Sequence, residues 1–250
     1  MAKQIGPKLL RLIFQARYKP ELVFFSLADA AAARFQDDYP IWQRDVDGDL
    51  RLSDYSHRCM LALSHQAFSY SQDSSDLGLA ATRISRALDE LPGSLQLKEY
   101  KRIGLRHFML VPVSMDFESL VAVMATKLFV QAPPLQEALP EKLDDMLYRI
   151  DGSEGEHRFH VTIAPVHREE ISGKIIKLTQ TGTIDPAKLG DAVKESEESY
   201  PPVAVFLDID MYLESDKIDL GAGKAFVQSA GQRIERLVVG TAEYLLRVRL

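Results

Sequence analysis

Two stretches of the sequence alternate between apolar and polar residues in the way that predicts half-buried strands. If the first stretch, residues 100–111, is extended, Arg102 and Arg106 lie on one sheet face with Gly104 between them. The opposite face of this strand receives Ile103, Leu105 and His107. Two arginines that flank a glycine are unusual for a strand, so Arg102 and Arg106 are candidates for binding an anion or a partner.

The second stretch, residues 203–213, places Asp208 and Asp210 on one face of a predicted strand. If the two strands are neighbours, we expect these carboxylates to form cross-strand ion pairs with Arg102 and Arg106, which contribute about 0.2–1 kcal/mol each when partly exposed. The alternative is a metal site, in which carboxylate oxygens on one sheet face converge on a divalent cation such as Mg²⁺. Under that alternative the two arginines would be anion ligands.

The rest of the chain has the pattern of an α+β protein. Strands are predicted over residues 10–18, 42–46, 50–52, 58–70, 158–166 and 174–183, and helices over residues 21–37, 76–91, 116–129, 135–150 and 223–248. Strands 158–166 and 174–183 are expected to pair as a hairpin, and the acidic stretch 185–202 is expected to be mobile. The predicted fold therefore has antiparallel or mixed sheets, flanked by helices and closed by a long C-terminal helix.

The two halves of the chain have loosely similar strings of predicted elements, which indicates a pseudo-duplication without a residue-level repeat. The chain is therefore predicted to form one α+β domain over residues 1–250, or two closely packed lobes over residues 1–115 and 116–250. The closing helix has an apolar stripe broad enough to cover a sheet or to form a dimer.

The composition is that of an ordinary globular protein, with 46% hydrophobic and 26% charged residues. A net charge of −6 argues against a protein that mainly covers phosphates. Four basic residues near the N-terminus are expected to form a solvated strand face: Lys8, Arg11, Arg17 and Lys19. Nucleic-acid binding through this basic strand and the two later arginines stays an alternative.

The single cysteine, Cys59, excludes an intramolecular disulfide and a cysteine-based zinc cluster, and it fits a reducing compartment. We expect it to be a buried, chemically inert strand residue. No window of the sequence approaches the roughly 18 consecutive apolar residues of a membrane span, and no signal-peptide cleavage pattern follows the N-terminus. The expected location is the cytoplasm.

No catalytic motif of the sequence is complete. His160 and Thr162 match the His-apolar-Thr form of two-histidine phosphoesterases, but no second copy of that motif is present. The glycine-rich residues 221–225 resemble a phosphate loop, except that Ile218 replaces the first glycine and Ala225 replaces the final Ser or Thr. These incomplete motifs favour a protein that is not an enzyme and needs no cofactor.

The order of these features resembles a sporadically distributed family of uncharacterised bacterial proteins of about this length. The resemblance depends on the opening strand with its helix, on the R-I-G-L-R sequence of residues 102–106, and on the late L-D-I-D sequence of residues 207–210. Family members usually continue the first motif with a tyrosine and then an asparagine, whereas this chain has His107, Phe108 and Met109. The resemblance implies an accessory gene, of the kind found in defence systems or mobile elements.

Two classes of function follow from the sequence. The leading hypothesis is a non-catalytic binding or assembly component of the bacterial cytoplasm, which binds a protein partner or associates with itself. The second is a metal-dependent enzyme of phosphoryl or nucleotidyl transfer, with Mg²⁺ on Asp208 and Asp210 and an anion on Arg102 and Arg106.

Overall fold

The computed structural model of the chain describes residues 6–128, 143–171, 173 and 182–246, with the backbone alone at 193, 195–197 and 246. The strands are β1 Lys8–Arg17, β2 Ile41–Arg44, β3 Leu50–Asp54, β4 Cys59–Leu63, β5 Ala67–Gln72, β6 Tyr100–Pro112, β7 Tyr148–Glu154, β8 His157–His167 and β9 Val203–Ile218. The helices are α1 Phe24–Ala33, α2 Leu77–Ser94, α3 Phe117–Leu128, α4 Leu189–Ser199 and α5 Ala222–Leu246, with a 3₁₀ turn at Pro186–Lys188. The predicted α+β class and the long closing helix are confirmed.

The nine described strands form a single antiparallel sheet in the order β2-β3-β4-β5-β1-β6-β9-β8-β7. This order is nearly symmetrical about the junction of β1 and β6. On either side of that junction follow β5 and β9, then β4 and β8, then β3 and β7, while β2 is an extra edge strand. The helices repeat the symmetry. In the first half α1 follows β1 and α2 follows β5, and in the second half α3 follows β6 and α5 follows β9.

This arrangement shows the pseudo-duplication that the sequence indicated. The repeat divides the chain between α2 and β6, so β6 opens the second half. The division at residue 115 that the sequence suggested places this strand in the first lobe instead. Because the two central strands pair with each other along most of their length, the halves share one sheet.

Four helices cover one face of the sheet, hereafter the helix face, with neighbouring contacts in the order α1, α2, α5, α3. Their apolar stripes form the main core with the facing strand residues. In α2 the buried residues recur at helical spacing, at Ala80, Ile84, Ala87 and Leu91. Asp76 begins this helix by accepting a hydrogen bond of 2.8 Å from the backbone N–H of Leu79.

The described residues that cover the opposite face of the sheet, hereafter the polar face, lie at one end of it. A second apolar cluster forms there where Tyr200, just after α4, packs over strand residues such as Phe108, Leu110 and Phe206. Beyond this cluster the polar face of β6 and β9 carries the charged residues that the sequence singled out. The two faces of β6 therefore have different surroundings, an apolar core and a partly open charged surface.

Local predictions are corrected in four places along the chain. Residues 58–70 form two strands, because the Ser64 hydroxyl accepts hydrogen bonds from the turn that separates them. The helix α2 continues past Pro92 to Ser94, since a proline in the last turn removes only one hydrogen bond. Residues 148–150 belong to β7 rather than to a helix, and the rest of the predicted 135–150 helix lies largely outside the described residues.

The fourth correction concerns the segment before β9. β8 pairs with β7 and β9, so both of its edges are occupied and the predicted strand 174–183 cannot be its hairpin partner; residues 174–181 lie outside the described part. The stretch 185–202, predicted to be mobile, forms the 3₁₀ turn and α4. Asp185 accepts a hydrogen bond of 2.9 Å from the N–H of Ala187 and Pro186 follows it, a helix-start signal that the acidic composition obscured.

Within the described ranges, the helices are too short or too polar to cross a membrane.

Candidate functional site

The two strands with complementary charges are neighbours, as the ion-pair hypothesis requires. In the register of β6 and β9, Arg106 lies opposite Asp210 and Phe108 lies opposite Asp208. The side chains nevertheless pair diagonally, because both arginines extend along the strand in the same direction: Arg106 reaches Asp208, and Arg102 reaches Asp210.

The Arg106 pair is bidentate, with distances of 2.7 Å from Nε to Oδ1 and 2.6 Å from Nη2 to Oδ2 of Asp208. Because Arg106 donates hydrogen bonds to this carboxylate, the pKa of Arg106 is raised above its ordinary value. The Arg106 guanidinium also lies 4.8 Å from the ring centre of Phe108. The pair sits at the rim of the open surface, since the Arg106 side chain is 43% exposed and that of Asp208 only 17%.

The Arg102 pair is more enclosed. Its Nη2 donates to Asp210 Oδ2 at 3.0 Å, and its Nη1 reaches the side-chain oxygen of Gln15 at 3.4 Å. To do so the guanidinium passes over Gly104, and it stacks 4.4 Å from the ring centre of Tyr212. A Cβ at position 104 would lie 3.4 Å from Nη1 of Arg102 and 3.4 Å from Cβ of Tyr212, which is ordinary contact, so an alanine would fit beneath the guanidinium.

The charged surface continues onto β8 and β7 through residues that the sequence analysis did not include in the site. The hydroxyl of Tyr212 lies 3.0 Å from Nε2 of His160, whose Nδ1 is hydrogen-bonded to Asp151. The hydrogen bond from His160 is the main reason that the pKa of Asp151 lies below its ordinary value. Together with Arg102, Arg106, Asp208 and Asp210, these three residues form what we call the polar cluster.

The polar cluster is internally paired. Asp208 and Asp210 each already accept a hydrogen bond from an arginine, so a cation would have to displace that arginine and an anion would have to displace the carboxylate. Among the residues that the structure describes, no three His, Cys, Asp or Glu side chains meet as a metal-binding group. The geometry thus matches the ion-pair interpretation of Arg102, Arg106, Asp208 and Asp210 more closely than that of an open metal or anion site.

The N-terminal basic residues form the predicted solvated face only in part, because Arg17 and Lys19 are exposed, whereas Lys8 is half-buried and Arg11 is buried. Arg11 is only 1% exposed and forms a bidentate pair with Asp73, at 2.5 Å from Nε to Oδ1 and 2.9 Å from Nη2 to Oδ2. Its Nη2 also donates to the hydroxyl of Thr183 at 3.1 Å, and that hydroxyl is bonded to Asp73. The Arg11 pair therefore connects β1 to the segment that covers one end of the polar face. Lys8 packs 4.5 Å from the ring centre of Tyr200.

The helix face of the central strands borders a cavity of about 670 Å³. Its floor is formed by β1 and β6, and its walls by α2 and α5. Apolar side chains predominate among the described lining residues, which include Leu9, Leu12, Ile84, Leu105, Met109, Val227, Ile234 and Val238. Volume and lining are those of a small-molecule site.

His107 is the polar residue in the floor of this cavity. It is 7% exposed, and its Nε2 is buried without a hydrogen-bond partner. Burial lowers the pKa of His107 to about 4, so the imidazole is neutral at pH 7. Histidine occurs here at a position where the alternation of β6 calls for an apolar residue, next to Leu105 and Met109. That mismatch was visible in the sequence, but nothing there showed that the histidine would lie beside a cavity.

The position of the cavity follows from the pseudo-symmetry. Each half of the chain contributes one floor strand and one wall helix, so the cavity lies where the halves meet. The walls converge at one end, where a Cβ added to Gly223 would come within 2.7 Å of Leu88. The glycine in the first turn of α5 is therefore explained by helix packing, and the loop 221–225 begins a helix as the incomplete phosphate-loop motif suggested.

A third polar group, on the helix side of the first half, fills structural roles. Asp54 and Arg83 are both buried and 2.8 Å apart, and Arg83 also donates to Cys59 Sγ at 3.0 Å. Burial opposes ionisation of Asp54, but hydrogen bonds from Ser56, His57 and Arg83 lower its pKa to about 2. Burial raises the pKa of Cys59 to about 11. The thiol is thus buried and protonated at neutral pH, as expected of an inert cysteine.

Comparison with family models, with curated proteins and with solved structures finds no match to this chain. The resemblance to a bacterial family therefore stays a prediction from the short motifs alone. The two faces of β6 are therefore the features of the molecule that bear on its function.

Proposed function

We propose that the chain is a non-catalytic binding protein whose ligand is a small, mostly apolar molecule held in the cavity between α2 and α5. The observation that carries this proposal is an apolar cavity of about 670 Å³ whose floor contains the buried, unpaired Nε2 of His107. An unpaired buried polar atom costs about 1–3 kcal/mol in stability. A ligand in the cavity can offer a hydrogen-bonding group to the imidazole that lines it.

The polar cluster supports the same preference for binding over catalysis. Its arginines and aspartates neutralise one another, so they contribute to the sheet without presenting a free charge to a substrate. The metal-dependent enzyme remains the alternative hypothesis, and it requires Asp208 and Asp210 to exchange their arginines for a cation. The cytoplasmic location, the bacterial origin and self-association are retained as predictions from the sequence.

Gly231 offers a way to test the cavity. This residue of α5 lines the cavity, and a Cβ added to it would meet no atom within 4 Å. Gly231→Leu should therefore fill the cavity without a clash. Gly240→Leu is the matched control, because Gly240 lies on the same helix, has the same free space at Cβ and does not line the cavity.

The probe is butylbenzene, which is uncharged and has no hydrogen-bonding group. Isothermal calorimetry should show saturable binding to the wild-type protein and to Gly240→Leu, and at least tenfold weaker binding to Gly231→Leu. Equal binding to all three proteins, or no binding to any of them, would contradict the proposal. So would light scattering that shows a dimer of the wild type and a monomer of Gly231→Leu, because a second copy of the chain would then be the natural occupant.

A further inference from the structure

We infer that the ligand of this cavity is uncharged and carries one hydrogen-bonding group, in the simplest case a hydroxyl, that pairs with His107. This inference rests on the proposed function and names the chemical class of the molecule. It follows from where polar and charged groups lie around the cavity.

The lining is polar at the mouth and apolar at the floor, apart from His107. The described lining residues with a charge are Lys224 and Glu235, and both are exposed. Lys224 is also paired with Asp89 at 2.6 Å. The walls also carry the polar residues Ser85, which is half-buried, and Gln228, which is exposed, but a ligand that reaches the floor leaves bulk water and meets the imidazole of His107 there.

These surroundings disfavour a charged ligand group at the floor. A carboxylate or an ammonium group buried without an opposite charge pays a large desolvation cost. His107 does not supply the opposite charge for a carboxylate, because burial lowers its pKa to about 4 and the ring is neutral at pH 7. An uncharged group pays a much smaller cost, which one hydrogen bond can offset.

A hydroxyl fits the imidazole in either of its neutral tautomers. One ring nitrogen of the neutral imidazole carries a proton and can donate to the hydroxyl oxygen, and the other is bare and can accept the hydroxyl proton. A molecule with an apolar body and one alcohol or phenol group therefore satisfies both the walls and the floor of the cavity.

The test compares two ligands in two proteins. Butylbenzene and 4-butylphenol differ by one hydroxyl, and the wild type and His107→Leu differ by the proposed partner of that hydroxyl. The dissociation constants of both ligands are measured at pH 7 by calorimetry, after thermal unfolding has shown that the variant is folded. We expect the ratio of the butylbenzene constant to the 4-butylphenol constant to fall by about tenfold in His107→Leu, while butylbenzene itself still binds.

The possible results separate this inference from the proposed function. If both ligands bind the wild type and are excluded by Gly231→Leu, but their ratio is the same in His107→Leu, the cavity is a ligand site and the role of His107 is wrong. If 4-butylbenzoate binds the wild type more tightly than 4-butylphenol, the preference for an uncharged group is wrong. If none of the three compounds binds, the proposed function fails as a whole.

Discussion

The two faces of β6 differ in whether their polar groups have partners. On the polar face, Arg102 and Arg106 are bound to Asp210 and Asp208. On the helix face, His107 directly follows Arg106 in the same strand, is enclosed by apolar side chains and has an Nε2 without a hydrogen-bond partner. The charged residues dominate the sequence pattern, yet the unpaired histidine is the stronger pointer to a ligand. The residues that stand out most in a sequence are therefore not always those best placed to bind a ligand.

The polar face contains a second contrast, between pairs at its covered end and pairs at its open end, and this contrast predicts the largest effect. Asp73→Ala removes the carboxylate that forms a bidentate ion pair with Arg11, whose side chain is only 1% exposed. Removing one member of a buried ion pair costs about 3–5 kcal/mol. Urea unfolding should show a loss of this size.

The control for this prediction is the double variant Arg11→Met with Asp73→Leu, which replaces the buried pair by apolar side chains. It should recover more than half of the lost stability, since no charge remains buried. A loss below about 1 kcal/mol in Asp73→Ala would show that the covered end behaves like the open surface.

The next largest effect is a pH dependence that belongs to the helix face. Burial lowers the pKa of His107 to about 4, against an ordinary value of 6.5, so the unfolded chain binds more protons at this residue between those pH values. Stability should therefore fall as the pH drops from 7 to 4, with no further loss from His107 below pH 4. A shift of this size corresponds to about 3 kcal/mol.

His107→Leu separates this contribution from the other titrating groups. The difference in unfolding free energy between the variant and the wild type should widen by about 3 kcal/mol between pH 7 and pH 4. The hydrogen-bonded carboxylate of Asp54 has a pKa of about 2, so its contribution to the stability of the protein is lost mainly below pH 4. That loss is the same in both proteins. Parallel pH profiles would mean that His107 is not buried in the way the structure shows.

At pH 7 the same substitution should stabilise the protein. The wild type keeps a buried polar nitrogen without a partner, and replacing it by an apolar side chain removes a cost of about 1–3 kcal/mol. The melting temperature of His107→Leu should therefore rise. A residue that destabilises the fold is typical of a binding site, because such a residue is kept for its function and not for stability. A lower melting temperature would indicate that the imidazole has a structural partner.

Much of the fold could be predicted from the sequence, because the alternation of β6 and β9 and the helical spacing of α2 and α5 are strong local signals. The neighbouring position of β6 and β9 could only be suggested, by their complementary charges. Strand order and the cavity could not be predicted, since both depend on contacts between distant parts of the chain. The burial of Arg11 was missed for the same reason. Its partner Asp73 directly follows β5, and its partner Thr183 lies in the second half of the chain.

The smallest expected effect concerns the open end of the polar face. Asp208→Ala removes the partner of Arg106, but that guanidinium is already 43% exposed and can be hydrated instead. The loss should therefore be about 0.2–1 kcal/mol, the range of partly exposed pairs, or a few degrees in melting temperature. Arg106→Ala should cost a similar amount, and the double variant little more than either, because the two side chains act through one pair.

Magnesium separates this structural role from the catalytic alternative. If the carboxylates serve the ion pairs, Mg²⁺ should leave the melting temperature of the wild type unchanged, and Asp208→Ala should lower it by the same amount with and without the ion. If Asp208 and Asp210 bind the metal, Mg²⁺ should stabilise the wild type, since a ligand of the folded state adds to its stability, and Asp208→Ala should abolish that gain. The second result would move the site of function from the helix face of β6 to its polar face.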